Sequence, residues 1–86
     1  MTGMDEDASS AMPFDSAVDA RGLNCPLPIL KAKKALAGIQ SGQVLKVMAT
    51  DPGSKRDFEA FARQTGNVLV AQSEADRTWT FYLKRR

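Results

Sequence analysis

Two kinds of apolar periodicity alternate along this chain, and their order restricts the folds that it can form. Short segments at 16–20, 43–50, 68–74 and 77–84 place apolar residues at every second position, which is typical of strands with one buried face. Two longer segments, one that starts at Pro26 and one within residues 51–67, repeat apolar residues at steps of three and four, as amphipathic helices do. The element order is therefore predicted to be β-α-β-α-β-β.

This order predicts an α/β (α+β) fold built as a two-layer sandwich. Right-handed crossovers place both helices on one face of a four-stranded mixed sheet. The first helix, which ends between Gly38 and Gly42, has its predicted buried stripe on Ile29, Ala32, Leu36 and Ile39. The second helix, within the segment DPGSKRDFEAFARQTGN (51–67), has its stripe on Phe58, Phe61, Ala62 and Thr65.

Local signals mark the ends of the second helix and the final turn. Asp51 or Ser54 can cap the helix start, Asp57 stands three positions after Ser54 as in a capping box, and Gly66 supplies a C-terminal stop. A two-residue hairpin over 75–76 is predicted to join the last two strands.

The first fourteen residues differ in composition from the rest of the chain. They contain three acidic residues and no apolar periodicity, so 1–14 is predicted to be a disordered tail and 15–86 the folded domain. Residues 15–86 hold twelve Lys and Arg against seven Asp and Glu, a net charge of +5, which suits nucleic acid or an acidic protein partner. No segment has the pattern of a signal peptide or a membrane span, and the single cysteine suits a reducing compartment; we expect a cytoplasmic protein.

Cys25 is the only cysteine, and it is followed by Pro26, Leu27 and Pro28. Proline is tolerated in the first turn of a helix, where its missing N–H has no intrahelical partner, so Cys25 is predicted to lie at the helix start. There the amides of Leu27 and Ile29 and the positive end of the helix dipole would lower the pKa of the thiol. The chain has no histidine, which excludes a Cys-His pair and a histidine metal site, and we expect neither a metal nor a cofactor. The alternative is that Cys25 is a small buried structural residue.

The segment DARGLNCPLPILKAKKAL resembles the motif of the TusA/SirA family of small sulfur-carrier proteins, in which a single cysteine stands in C-P-x-P at the start of the first helix. The likeness extends over about residues 15–85 and includes ATDPGSKRDFEAFARQTGN, which is similar to the family's second helix and its entry. Between its two prolines TusA itself has an acidic residue, whereas this chain has Leu27.

The resemblance implies a sulfurtransferase that carries sulfane sulfur as a persulfide on Cys25. The implied donor is a cysteine desulfurase or a rhodanese-like protein, and the implied acceptor is a cysteine of another sulfur-relay protein. Family members supply tRNA 2-thiouridine synthesis, molybdenum-cofactor metabolism or sulfur oxidation, and the resemblance leaves the pathway open.

Several other residues are candidates for supporting roles. Gly22 is predicted to adopt a backbone angle that other residues resist. The predicted partner contacts, each with a solvated or structural side chain as its alternative, are Arg21, Lys31, Lys55 and Arg56.

A non-catalytic RNA-binding module is the alternative function, because a basic two-layer domain could lie on RNA with its exposed sheet face. Beyond Tyr82, no aromatic residue is predicted on that face, and there is no RNA-binding motif. We therefore expect no direct nucleic-acid binding.

Overall fold

A computed structural model describes residues 12–86, and its elements follow the predicted order. The strands are β1 (Ser16–Ala20), β2 (Val44–Ala49), β3 (Val68–Ala75) and β4 (Thr78–Lys84), and the helices are α1 (Leu27–Ala37) and α2 (Ser54–Thr65). The strands form one sheet in the order β1-β2-β4-β3, in which β1 and β2 are parallel and the other neighbours are antiparallel. The predicted four-stranded mixed sheet with two helices is confirmed.

The core lies between this sheet and the two helices. Phe58 of α2 is fully buried and stacks on Phe81 of β4, with 4.5 Å between the ring centroids. Removing a buried aromatic ring of this kind destabilises a protein by about 3–5 kcal/mol. The helices and the sheet are thus held together by one continuous apolar cluster.

The strand directions place the starts of both helices at the same edge of the sheet. Because β1 and β2 are parallel, α1 runs back against both of them. Because β3 and β2 are each antiparallel to β4, they run in the same direction, and α2, which joins them, also runs back. The two helices are therefore parallel, with their N-termini beside the carboxyl ends of β1 and β2.

Two predicted local details are wrong. The hairpin turn consists of Asp76 and Arg77 rather than 75–76, because both have positive φ, 52° and 61°, as a two-residue type I′ turn requires. Ser54 does not cap α2: it is the first helical residue and is buried, while Gly53 is the N-cap and no side chain of the described part of the chain caps the helix. Gly66 ends α2 as predicted, with φ at 81°.

The boundary predicted at residue 14 differs from the structure. Most of the predicted tail lies outside the described residues, but Phe14 packs against Tyr82, with ring centroids 6.5 Å apart, and the Lys46 ammonium lies 5.1 Å from the Phe14 ring centroid. Asp15 also donates its N–H to the carbonyl of Val44 at 2.8 Å. The packed part of the chain therefore includes Phe14.

Candidate functional site around Cys25

The connection between β1 and α1 begins with an ion pair that occupies Arg21. Its Nε and Nη2 donate to the two carboxylate oxygens of Asp19 at 2.8 and 2.9 Å, and its backbone N–H donates to Oδ1 at 3.0 Å. These hydrogen bonds, the side-chain ones first, hold the pKa of Asp19 well below its usual range. The structure thus gives Arg21 an intramolecular partner.

The next residue attaches this connection to the end of β2. Gly22 has φ at +82°, as its sequence position predicted, and its N–H donates to Thr50 Oγ1 at 2.9 Å. The N–H of Leu23 donates to the carbonyl of Ala20 at 3.3 Å. The backbone that leads to the cysteine is therefore held at two strand ends.

Cys25 is exposed and precedes α1. The helix begins one residue later than predicted: Pro26 is the N-cap and Leu27 is the first helical residue. The peptide bond between Cys25 and Pro26 is cis. The N–H of Leu27 donates to the carbonyl of Asn24 at 2.8 Å, so the turn itself uses one of the two amides that the sequence assigned to the sulfur. The exposure of the thiol argues against the alternative of a buried structural cysteine.

The residues at the start of α1 differ in how far their side chains are buried. Pro28 is buried and Ile29 packs against the core, whereas Leu27 and Leu30 are 47% and 52% exposed. Pro28 and Ile29 therefore attach the helix start to the core through their side chains. Leu27 instead presents an apolar side chain to solvent beside Cys25.

A cleft of about 270 Å³ lies between the start of α1 and one face of α2. Cys25 lines it from the start of α1, and Asp57 faces it from the first turn of α2. The remaining lining residues are Pro26, Ile29, Ala60, Phe61 and Gln64. The tertiary fold therefore sets one carboxylate and one thiol at a small, largely apolar cleft.

The carboxylate reverses the predicted effect on the thiol. Asp57, as hydrogen-bond acceptor for the thiol, raises the pKa of Cys25; desolvation and the negative charges of Asp57 and Asp51 add to this. The prediction of a lowered pKa is therefore wrong for the unloaded thiol. The prediction considered only the partial positive charge of the helix end, which favours the thiolate. The nearby carboxylate disfavours the thiolate and therefore raises the pKa of the thiol.

The sequence pattern predicts Asp57 as a capping-box residue, because it stands three positions after Ser54. One signal in the sequence could have located it: both helices join strands that run in the same direction, which brings the starts of both helices to one edge of the sheet, so a first-turn residue of α2 can lie near the start of α1.

The predicted basic partner contacts divide into two groups. Arg21 is paired with Asp19, and Lys31 Nζ donates to the backbone carbonyl of Asp19 at 3.3 Å, so both have intramolecular partners. Lys55 and Arg56 are exposed in the first turn of α2 and line a shallow depression together with Asp57. All four side chains are exposed, and of these Lys55 and Arg56 adjoin Asp57, which also lines the Cys25 cleft.

Comparison with known proteins identifies the family. The family model described as Sulfurtransferase TusA matches residues 16–85. The chain is 58% identical over 72 residues to the sulfur carrier protein TusA of Allochromatium vinosum. The aligned region covers 84% of this chain and 95% of that protein. It is 36% identical over 74 residues to the sulfur carrier protein TusA of Pseudomonas paraeruginosa, with 86% and 94% of the two chains covered.

A solved structure supports the same assignment. The SirA-like protein from Desulfitobacterium hafniense matches this structure with a TM-score of 0.73 and 28% sequence identity, over 81% of this chain and 96% of the other. The fold and the cysteine at the start of α1 thus define a small two-layer protein of the TusA/SirA type. The chain belongs to the TusA family of sulfurtransferases, as its motif predicted.

Proposed function

We propose that this protein is a sulfurtransferase that carries sulfane sulfur as a persulfide on Cys25. The observation that carries the proposal is the exposed thiol at the start of α1, in a chain whose relatives are named sulfur carrier proteins. A thiol that receives sulfur from one protein and presents it to another must be reachable by both, and a thiol at the mouth of a cleft meets that requirement.

The chemistry is an exchange of sulfur between the thiol and its partners. A sulfur nucleophile attacks the outer sulfur of a donor persulfide, as in thiol–disulfide exchange, and the donor's inner sulfur leaves. The donor is a cysteine desulfurase or a rhodanese-like protein, and the acceptor is a cysteine of a further relay protein. Because the unloaded carrier needs a reduced thiol, we place the protein in the cytoplasm.

The surface around Cys25 supports contact with proteins. Leu27 and Leu30 form an exposed apolar pair on α1, and Lys55 and Arg56 add positive charge on α2. Apolar contacts at the centre and charges at the rim are usual for transient protein interfaces. The proposed docking surface for donor and acceptor therefore consists of Leu27, Leu30, Lys55 and Arg56. Residues 15–86, with Phe14 packed against them, are the proposed carrier domain.

RNA binding receives less support. Tyr82, the aromatic residue that the pattern placed on the open sheet face, is only 5% exposed and packs against Phe14. A buried ring cannot stack on a base, and base stacking is a main source of single-stranded RNA recognition. The proposal therefore assigns the basic surface to protein partners.

Intact-mass analysis after incubation with a cysteine desulfurase and cysteine tests the proposal. We expect the chain to gain the mass of one sulfur atom, to lose it again on reduction, and to gain none in the matched variant Cys25→Ser. Equal gain in the serine variant, or no gain in the wild type, would refute the proposal.

A further inference from the structure

Among the described residues, the Asp57 carboxylate neither caps a helix nor forms a salt bridge. No side chain caps the start of α2, and the salt bridge found within residues 12–86 joins Asp19 and Arg21. Asp57 is half-buried and lines the same cleft as the thiol. The geometry points to Asp57 as the proton acceptor for Cys25 when the carrier is loaded, a role that rests on the proposed function.

A base is needed because the unloaded thiol is held in its protonated form. Two carboxylates, of Asp57 and Asp51, act on the thiol, and both raise the pKa of Cys25. The exposed cations Lys55 and Arg56 stand in the same first turn as Asp57, yet no cation within residues 12–86 opposes this effect at the thiol. At neutral pH the sulfur therefore has to lose its proton as it attacks.

Asp51 is less suited to this role. Its Oδ2 accepts the backbone N–H of Gly53 at 3.2 Å, and it acts on the thiol only through its charge. Asp57, in contrast, lines the same cleft as the thiol, whereas Asp51 does not line it. A general base must lie within hydrogen-bond reach of the proton that it removes, so the structure favours Asp57.

The loading step balances with Asp57 as a relay. Sγ of Cys25 forms a bond to the outer sulfur of a donor persulfide, R–S–SH, while the S–S bond of the donor breaks and its electron pair stays on the inner sulfur. The proton of the Cys25 thiol moves to the Asp57 carboxylate, which then protonates the departing R–S⁻. The products are the Cys25 persulfide and R–SH, so no oxidant or reductant is consumed.

Two rates measured on the same variants separate proton transfer from a simple shift of the thiol pKa. Alkylation of Cys25 by iodoacetamide, followed as a pH profile, reports how much thiolate is present. Loading by glutathione persulfide at pH 7, followed by intact mass, reports the complete transfer step and needs no protein partner. The informative quantity is the ratio of the loading rate to the alkylation rate.

The variant is Asp57→Asn, which keeps the shape of the side chain but cannot accept the proton. Its alkylation profile should move to lower pH, because the negative charge beside the thiol is lost. We expect the ratio of loading to alkylation to fall by about tenfold or more, since general bases typically contribute about 10²–10⁴ in rate. Asp57→Glu should restore part of the ratio, and the control Glu59→Gln, on the same helix but bonded to Gln72, should leave both rates unchanged.

Three outcomes would overturn the inference or what it rests on. If both rates of Asp57→Asn rise by one common factor, Asp57 only shifts the pKa of the thiol. If both rates equal those of the wild type, the two groups are not coupled. If the wild type alkylates at Cys25 but never loads, the proposed function fails, and the role of Asp57 fails with it.

Discussion

The N–H of Gly22 donates to Thr50 Oγ1 at 2.9 Å, which joins the connection that carries Cys25 to the carboxyl end of β2. Gly22 reaches this position with φ at +82°, where a residue with a side chain would be strained. The loop before the cysteine is thus held by one hydrogen bond between residues far apart in the sequence.

Thr50→Val should weaken this attachment without changing the shape of the side chain. Loss of one exposed hydrogen bond is expected to lower the free energy of unfolding by about 0.5–1 kcal/mol and to increase the exchange rate of the Gly22 amide. Chemical denaturation and NMR hydrogen exchange measure the two effects. The control is Thr80→Val in β4; a Gly22 amide as protected in Thr50→Val as in the wild type would contradict the attachment.

Ser54→Ala should stabilise the protein. Ser54 is 1% exposed, and its hydroxyl has no hydrogen-bond partner among the described residues. Burying an unpaired hydroxyl costs about 1–3 kcal/mol, and alanine removes part of that cost while leaving a small void. We expect the midpoint of chemical denaturation to rise by the equivalent of about 1 kcal/mol. Ser73→Ala, at an exposed position of β3, is the control and should change little; a lower midpoint in Ser54→Ala would show that the hydroxyl has a partner.

Phe14→Ala tests where the folded domain begins. The ring contacts Tyr82 and lies under the Lys46 ammonium, so its removal should lower the free energy of unfolding by about 1–2 kcal/mol. The matched control is Val68→Ala, because Val68 is 52% exposed and Phe14 is 44% exposed. Equal stability of the wild type and Phe14→Ala would place the boundary after residue 14, as the composition predicted.

The raised pKa of Cys25 makes stability depend on alkaline pH. The folded chain holds the thiol proton more tightly than the unfolded chain, so this contribution is complete below the ordinary thiol pKa and disappears as the pH rises through the higher folded value. Unfolding of the wild type and of Cys25→Ser should be compared between pH 7 and pH 11, because the other titrating groups are common to both proteins. The stability of the wild type relative to the variant should decrease over this range; an increase would mean that the folded pKa is lowered instead.

The fold was largely readable from the sequence because each element carries its own local signal. The steps of three and four in α1 and α2, the alternation in β4 and the stop at Gly66 all act within a few residues. The hairpin was placed one residue too early because neither Asp76 nor Arg77 is the glycine that usually marks a turn with positive φ. Errors of this kind arise where a residue adopts a backbone conformation that its type does not favour.

The site was readable only in part. The sequence alone determined that the cysteine stands at a helix start, since Pro26 and Pro28 exclude it from a helix interior. Tertiary structure decided the charge around it: parallel helices bring Asp57 beside Cys25 and reverse the direction of the thiol's pKa shift. Local signals depend on neighbours along the chain, whereas the pKa of an exposed thiol depends on charges that approach it through space, and these are set only when the two helices pack on the sheet.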